Sequence, residues 1–295
     1  MTTTKPHRGT IFLENAEILT HEAFPGEQYV VRLHAPECAE ATRPGQFVHL
    51  QCHPLRPMRR PISIMRASPA GGWVDLLYKV VGEGTALLAE RRPGERLSVL
   101  GPVGEPFRPG AGRPRPLLLG GGVGMPPMIC LAEALHAGSG IRPLVILGSE
   151  APFPFDPRPS GMLVSGMPAG AIACMPLLED WGIPSRLTSL SGFSGCHPGY
   201  VTDLARRWLL SLDAPALGEV EVFACGPHPM LQAAADLARE FRLPCQVSLE
   251  ELMACGVGGC AGCTLPVTTD QGPAMKRVCV DGPVFDAAEV FPTPG

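Results

Sequence analysis

Leu117-Leu118-Leu119-Gly120-Gly121-Gly122-Val123-Gly124-Met125-Pro126-Pro127 decides the architecture of this chain. Three consecutive leucines describe a strand buried on both faces, as in a parallel sheet. The glycines allow a sharp backbone turn, and prolines at the head of the next stretch suit a first helical turn. Met128–Leu135 then reads as a helix. A glycine-rich turn between strand and helix is the setting in which main-chain N–H groups approach a phosphate or a ribose. The turn does not spell G-x-G-x-x-G, because position 125 is Met. Alone, such a turn is as often a packing device as a ligand site. Downstream, Leu144–Leu147 and Val220–Ala224 are further continuous apolar runs, and Leu231, Ala234, Ala238 and Phe241 mark one helical face. Strands alternating with helices predict a parallel α/β domain. Residues 151–184 are irregular.

Upstream, the pattern is different. Short apolar or alternating runs at Ile11–Leu19, Tyr29–Leu33, Phe47–Cys52, Ile62–Met65, Trp73–Val81 and Leu97–Leu100 are separated by Pro-Gly and Gly-Gly turns. Six short strands at near-regular spacing predict a small antiparallel barrel. The Pro/Gly/Arg-rich stretch 107–116 reads as a boundary, and it and the Pro-rich stretch 151–160 read as surface loops. Of 295 residues, 45% are hydrophobic and 18% charged, enough for buried cores and too apolar for whole-chain disorder. A net charge of −4 leaves no basic footprint for nucleic acid. No apolar stretch reaches the 18 residues of a membrane span. The opening Met1–Pro6 lacks the apolar run of an export signal, which predicts a cytoplasmic protein.

Eleven cysteines are unevenly placed. Seven are scattered singly and read as small hydrophobes. An odd total without an export signal argues against a disulfide framework. The remaining four, Cys255, Cys260, Cys263 and Cys279, spell C-x4-C-x2-C-x15-C. The first three match the plant-type [2Fe–2S] spacing. A loop wrapping three thiolates around a small cluster needs unusual dihedrals and nearby N–H donors, which Gly256, Gly258, Gly259 and Gly262 permit. The rival is structural zinc, which favours paired C-x2-C knuckles; only one is present here.

Arg60-Pro61-Ile62-Ser63 opens a barrel strand and, taken alone, reads as an ordinary edge strand with an exposed arginine; the alternative is that Arg60 and Ser63 present a guanidinium and a hydroxyl to a phosphate or a flavin. Gly82-Glu83-Gly84-Thr85 reads as a turn or a phosphate-binding loop. Cys225-Gly226-Pro227 closes an apolar strand, at the carboxyl end where open α/β sheets bind ligands. Together Arg60-Pro-x-Ser63, Gly84-Thr85, Gly101-Pro-x-Gly104, Gly120-Gly-Gly-x-Gly124 and Cys225-Gly-Pro-x-Pro229-Met230 resemble the ferredoxin-NADP reductase superfamily. The tail Met253–Cys263 with Val278-Cys-Val-Asp-Gly-Pro-Val-Phe285 is similar to one branch of it, the electron transfer subunits of dihydroorotate dehydrogenase B. The resemblance runs from about Thr10 to Val290.

The resemblance implies a flavin-binding barrel over residues 1–108, an NAD(H)-binding α/β domain over 109–246 and a [2Fe–2S] domain over 247–295. Arg60, Pro61, Ile62, Ser63, Tyr78, Lys79, Gly84 and Thr85 match FAD contacts. Gly120, Gly121, Gly122, Gly124, Cys225, Gly226 and Pro227 match the nicotinamide side. The four tail cysteines match the cluster ligands, and no side chain is assigned as a catalytic acid, base or nucleophile. The implied role is to pass electrons between NAD(H) and an FMN-containing dihydroorotate dehydrogenase catalytic subunit, two copies of each forming the complex, in pyrimidine biosynthesis. A flavin belongs between the other two groups because hydride carries two electrons and an iron–sulfur cluster takes one.

Two departures from the pattern stand out. Glu105-Pro106-Phe107 replaces the family's Asn-Gly-Phe at the flavin's edge, and Leu187–Leu190 lacks the carboxylate that would grip a ribose 2′-OH. Related subunits of ferredoxin-dependent transhydrogenases and sulfide dehydrogenases are an alternative, though one ligand there is commonly not cysteine. A zinc-stabilised, non-catalytic adaptor is another. His34, His49 and His53 on or beside barrel strands read as ordinary histidines, and adjacent Cys196 and His197 point to opposite sides of an extended segment.

Overall fold

The apolar runs before residue 104 close on themselves. In the computed structural model, which describes residues 10–136, 138 and 140–293, they form β1 (Phe12–Phe24), β2 (Gln28–His34), β3 (Phe47–Gln51), β4 (Arg60–Ser68), β5 (Trp73–Lys79) and β6 (Arg96–Val103). The reading of Met1–Pro6 lies outside the described residues. The strands pair antiparallel in the closed order β1-β2-β5-β4-β3-β6, which leaves no free edge. Inward positions such as Ile18, Val31, Leu50, Ile64, Leu76 and Val99 fill the interior. Helix α1 (Pro36–Ala41) packs beside the barrel.

The sequence expectation of a turn at Gly82–Thr85 is corrected here. Glu83–Ala89 is a short helix, α2, with Gly82 as its N-cap. Thr85 Oγ1 accepts from the main-chain N–H groups of Val81 and Gly82 at 3.0 and 3.3 Å. The hydroxyl thus supplies an acceptor for N–H groups at the helix start.

The rest of the chain builds a six-stranded sheet. Its elements are β7 (Arg115–Gly121), α3 (Met125–His136), β8 (Leu144–Gly148), the short pair β9 (Arg158–Pro159) and β10 (Ala173–Cys174), α4 (Pro176–Asp180), β11 (Ser185–Thr188), α5 (Val201–Leu210) and α6 (Ala214–Gly218). They continue with β12 (Val220–Cys225), α7 (His228–Phe241), β13 (Cys245–Ser248), the hairpin β14 (Thr264–Thr269) and β15 (Gly272–Arg277), then β16 (Val284–Asp286) and α8 (Ala287–Val290). The sheet order is β11-β8-β7-β12-β13-β16, parallel except for the last strand. The chain moves outward from β7 in one direction and resumes on its other side at β12. Ligands bind at the carboxyl ends of strands at such a switch point.

Helix α3 is buried on nearly every side. Its Glu133 takes a 2.8 Å ion pair from Arg66 of the barrel, whose guanidinium also lies 4.9 Å from the Trp181 ring centre. These contacts fix barrel against sheet.

Two further expectations change. The stretches 107–116 and 151–160 are not wholly surface loops: Phe107 and Phe153 are buried. Phe107 meets Phe223 edge-on at 5.6 Å between ring centres. Nor does the tail, expected as a domain of its own over 247–295, stand apart from the sheet. Strand β16 joins the sheet antiparallel to β13, so the expected boundary at 246/247 falls inside β13. Leu265, Val267, Val278, Phe285 and Phe291 share a hydrophobic core with α5 and α7. The tail also meets the barrel, where the Glu105 N–H donates to the Gly282 carbonyl at 2.6 Å. Glu105 at this point faces the tail.

Candidate functional site

Two cavities meet where barrel and sheet adjoin. The first, about 470 Å³, is walled by the start of β4 (Arg60, Pro61, Ile62, Ser63), by Tyr78 and Lys79 at the end of β5, and by Thr85. Its far side is the segment Ser248–Met253 that leaves β13. Arg60 crosses directly over Gly84: a Cβ there would lie 2.9–3.1 Å from the guanidinium. Only glycine lets this cation lie against the first turn of α2. Tyr78 stacks on Tyr29 at 5.4 Å, and its hydroxyl is 2.8 Å from His21 Nε2. Burial pushes the Tyr78 phenol up, so it remains a neutral wall.

The second cavity, about 530 Å³, lies over the carboxyl ends of the sheet. Gly121, Gly122 and Pro227 line it, with Glu150, Thr188 and Tyr200. Gly120, Gly124, Cys225 and Gly226 stand behind that lining. A Cβ on Gly124 would lie 2.5 Å from the Cys225 carbonyl carbon and 2.6 Å from the Gly226 nitrogen. Lys79 and Val123 line both cavities, which makes them neighbours. Burial raises the Cys225 thiol, and the Glu250 charge adds to the effect; burial likewise raises the Glu250 carboxyl.

The tail cysteines fall into two pairs. Cys263 Sγ lies 3.3 Å from Cys279 Sγ. Cys255 Sγ accepts from the N–H groups of Val257 and Cys260, at 3.5 and 3.4 Å. Burial pushes the Cys255 thiol up, but these N–H groups outweigh it and bring the thiol down to about 7. Burial, with the neighbouring Cys263, raises Cys279 to about 12. Among the described residues no three His, Cys, Asp or Glu side chains converge on a single metal position. Two pairs fit a cluster of two irons, each taking two thiolates.

Sequence reasoning missed several lining residues. Ser248–Met253 carries no motif, and its position follows only from β16 holding the tail in the sheet. Glu150 was missed because the carboxylate was sought after the third strand, at Leu187–Leu190. It follows the second strand, in Leu147-Gly148-Ser149-Glu150, and lines the sheet cavity. His197 is held in the edge of the sheet by its own main chain, its N–H donating to the Leu187 carbonyl at 2.8 Å, while neighbouring Cys196 packs into the core below.

The model of the iron–sulfur cluster binding domain of dihydroorotate dehydrogenase B matches residues 250–291. The dihydroorotate dehydrogenase B (NAD+) electron transfer subunit of Geobacillus thermodenitrificans (strain NG80-2) is 34% identical over 286 residues, covering 94% of this chain and 98% of that one. This chain belongs to the dihydroorotate dehydrogenase B electron transfer subunit family. Another member, from Bacillus caldolyticus, is 33% identical with the same coverage. Among solved structures, a chain of the NADH-dependent reduced ferredoxin-NADP oxidoreductase superposes with TM-score 0.73 at 28% identity, covering 94% of this chain and 90% of that one. Phthalate dioxygenase reductase, at 14% identity and TM-score 0.57 over 94% of this chain and 96% of that one, shares the fold. Membership makes this electron transfer subunit an oxidoreductase component. The structure fits its groups: a guanidinium over a glycine for a flavin phosphate, a glycine-floored cavity for NAD(H), and paired thiols for two irons.

Proposed function

We propose that this subunit carries electrons between NAD(H) and an FMN-containing dihydroorotate dehydrogenase partner in pyrimidine biosynthesis. FAD would occupy the barrel cavity against Arg60, Ser63, Tyr78 and Thr85. NAD(H) would occupy the sheet cavity over Gly121, Gly122 and Pro227. Cys255, Cys260, Cys263 and Cys279 would hold the [2Fe–2S] cluster. One observation carries the reading: the wall of the barrel cavity, Ser248–Met253, runs directly into Cys255, while Lys79 and Val123 join that cavity to the nucleotide cavity. That adjacency supports an order of nucleotide, flavin and cluster. When bound, a flavin takes two electrons as hydride and releases them singly to an iron–sulfur centre.

The chain's own residues position these groups. Arg60 offers charge to a pyrophosphate, and the Ser63 hydroxyl faces the same cavity. Glu150 is the carboxylate placed to accept from an adenosine ribose 2′-OH, which favours NAD over its 2′-phosphorylated counterpart. Assembly as two subunits of each kind and a cytoplasmic location belong to the same reading. No helix among the described residues is long and apolar enough to cross a membrane.

The test is a visible spectrum of anaerobically purified protein before and after NADH. Flavin bands over broad iron–sulfur absorption, bleaching on NADH, are expected. A colourless, zinc-containing protein would sink the proposal.

A further inference from the structure

Strand β3 carries a histidine where the fold gives no ordinary reason for one. Side chains alternate across a strand. Val48 and Leu50 point into the barrel core, so His49 between them faces outward. An outward position on a barrel is normally wet, yet His49 is fully buried. Its cover is the cysteine loop. Gly256, at φ +69°, lies so close that a Cβ there would sit 2.6 Å from His49 Nδ1 and 3.1 Å from Cγ. Neither ring nitrogen has a hydrogen-bond partner among the described residues. A buried polar group without a partner is costly, and an aliphatic side chain would fill the same space without that cost.

The surroundings narrow the purpose. His49 does not line the flavin cavity, so the missing partner is not a group held there. The main chain of Cys255 and of Arg59 lies beside the ring. A histidine ring carries an N–H in either charge state, so a donor is on hand here. It stands beside the residue that follows Cys255.

We propose that His49 is a positioning residue for the iron–sulfur centre: it presses from barrel strand β3 onto Gly256, fixes Cys255 relative to the flavin barrel, and gives its N–H to the sulfur-bearing loop. A donor directed at such a loop stabilises the extra negative charge of the reduced centre and raises its potential. The inference rests on the four-cysteine assignment above and adds a fifth residue, from a different domain, that tunes what they hold.

The test uses the full-length protein purified anaerobically, with His49→Leu and His49→Asn. Iron and sulfide are quantified, and the centre is titrated by electron paramagnetic resonance against applied potential. H49L is expected to keep about two irons per chain. At the wild-type midpoint its oxidised-to-reduced ratio should rise about tenfold, a fall of about 59 mV for a one-electron couple. H49N, whose amide restores a donor near the Nδ1 position, should return the wild-type midpoint and line shape. If H49L loses iron altogether, H49N retaining iron at the wild-type midpoint supports the proposal. H49L with an unshifted midpoint and unchanged spectrum overturns it. So does H49N behaving like H49L, in midpoint or in iron loss. An unsubstituted protein with no iron–sulfur signal overturns the four-cysteine reading as well, whereas a normal signal with indifferent variants overturns this inference alone.

Discussion

Replacing Gly124 by alanine adds one carbon where the nucleotide cavity's floor meets the end of β12. That carbon would lie 2.5 Å from the Cys225 carbonyl carbon and 2.6 Å from the Gly226 nitrogen, against ordinary contacts that begin at 3.4 Å. Both obstructing atoms are main chain, and Cys225 is hydrogen-bonded into the sheet between β7 and β13. A side chain could swing away, but this backbone has to move bodily by roughly 1 Å, and interiors packed this densely resist such shifts. Misplacing a positioning group by about 1 Å costs on the order of 100-fold in rate. Overpacking itself costs about 1–3 kcal/mol of stability. The expected outcome is a G124A protein with full FAD content and normal cluster absorption, because Gly124 does not line the barrel cavity. Its flavin bleaching by NADH, followed anaerobically by stopped flow, should be about 100-fold slower at limiting NADH. Bleaching within threefold of the wild-type rate would refute the argument that Gly226 and Pro227 position the nucleotide.

Cys260→Ser should abolish electron delivery to the partner while leaving NADH oxidation by ferricyanide within about twofold, since it removes one of four thiolates and Cys260 lines neither cavity. Normal reduction of the partner would remove Cys260 from the ligand set. Glu150→Gln removes a charged acceptor worth about 1.5–3 kcal/mol, so kcat/KM for NADH should fall roughly 10- to 150-fold while that for NADPH holds or rises. Equal losses for both nucleotides would count against a contact with the 2′-OH. In protein stripped of iron, Cys255 should react with iodoacetamide far ahead of Cys279, because the thiolate is the nucleophile and the two thiols stand at about 7 and about 12. Lowering the pH through 7 protonates Cys255 and should slow its alkylation; peptide mass spectrometry that found the reverse order would contradict the N–H donors assigned to its sulfur.

The barrel was legible because each strand announces itself by alternation and each turn by Gly or Pro. All six runs from Ile11 to Leu100 became strands of one closed sheet. The glycine turn after Leu119 was legible for the same reason, as apolar strand, bend and helix in immediate succession. Glu83–Ala89 was not, because Gly82 and Gly84 carry low helix propensity and the compensating Thr85 hydroxyl works through bonds no pattern displays. Val284–Asp286 is three residues long, too short for periodicity, although it stitches the tail into the sheet. Spacing alone identified the four cysteines, but not that they divide into pairs. Glu150 and His49 share another kind of invisibility: each acquires meaning from a neighbour remote in sequence, and topology sets that neighbour. A histidine between two core positions of a strand looks like any surface residue until a distant loop covers it.

The three residues of β16 also bear on how this molecule comes apart. The cysteine loop is strung between two anchors in adjacent strands, Ser248 at the end of β13 and Val284 at the start of β16, which face each other directly in register. A segment tethered at both ends to one sheet cannot keep its fold once that sheet melts. Heat or denaturant should therefore release iron no later than the transition that dissolves the nucleotide-binding sheet. For the engineer, the segment is not a cartridge to be cut out and transplanted; it travels only with the sheet whose edge it completes.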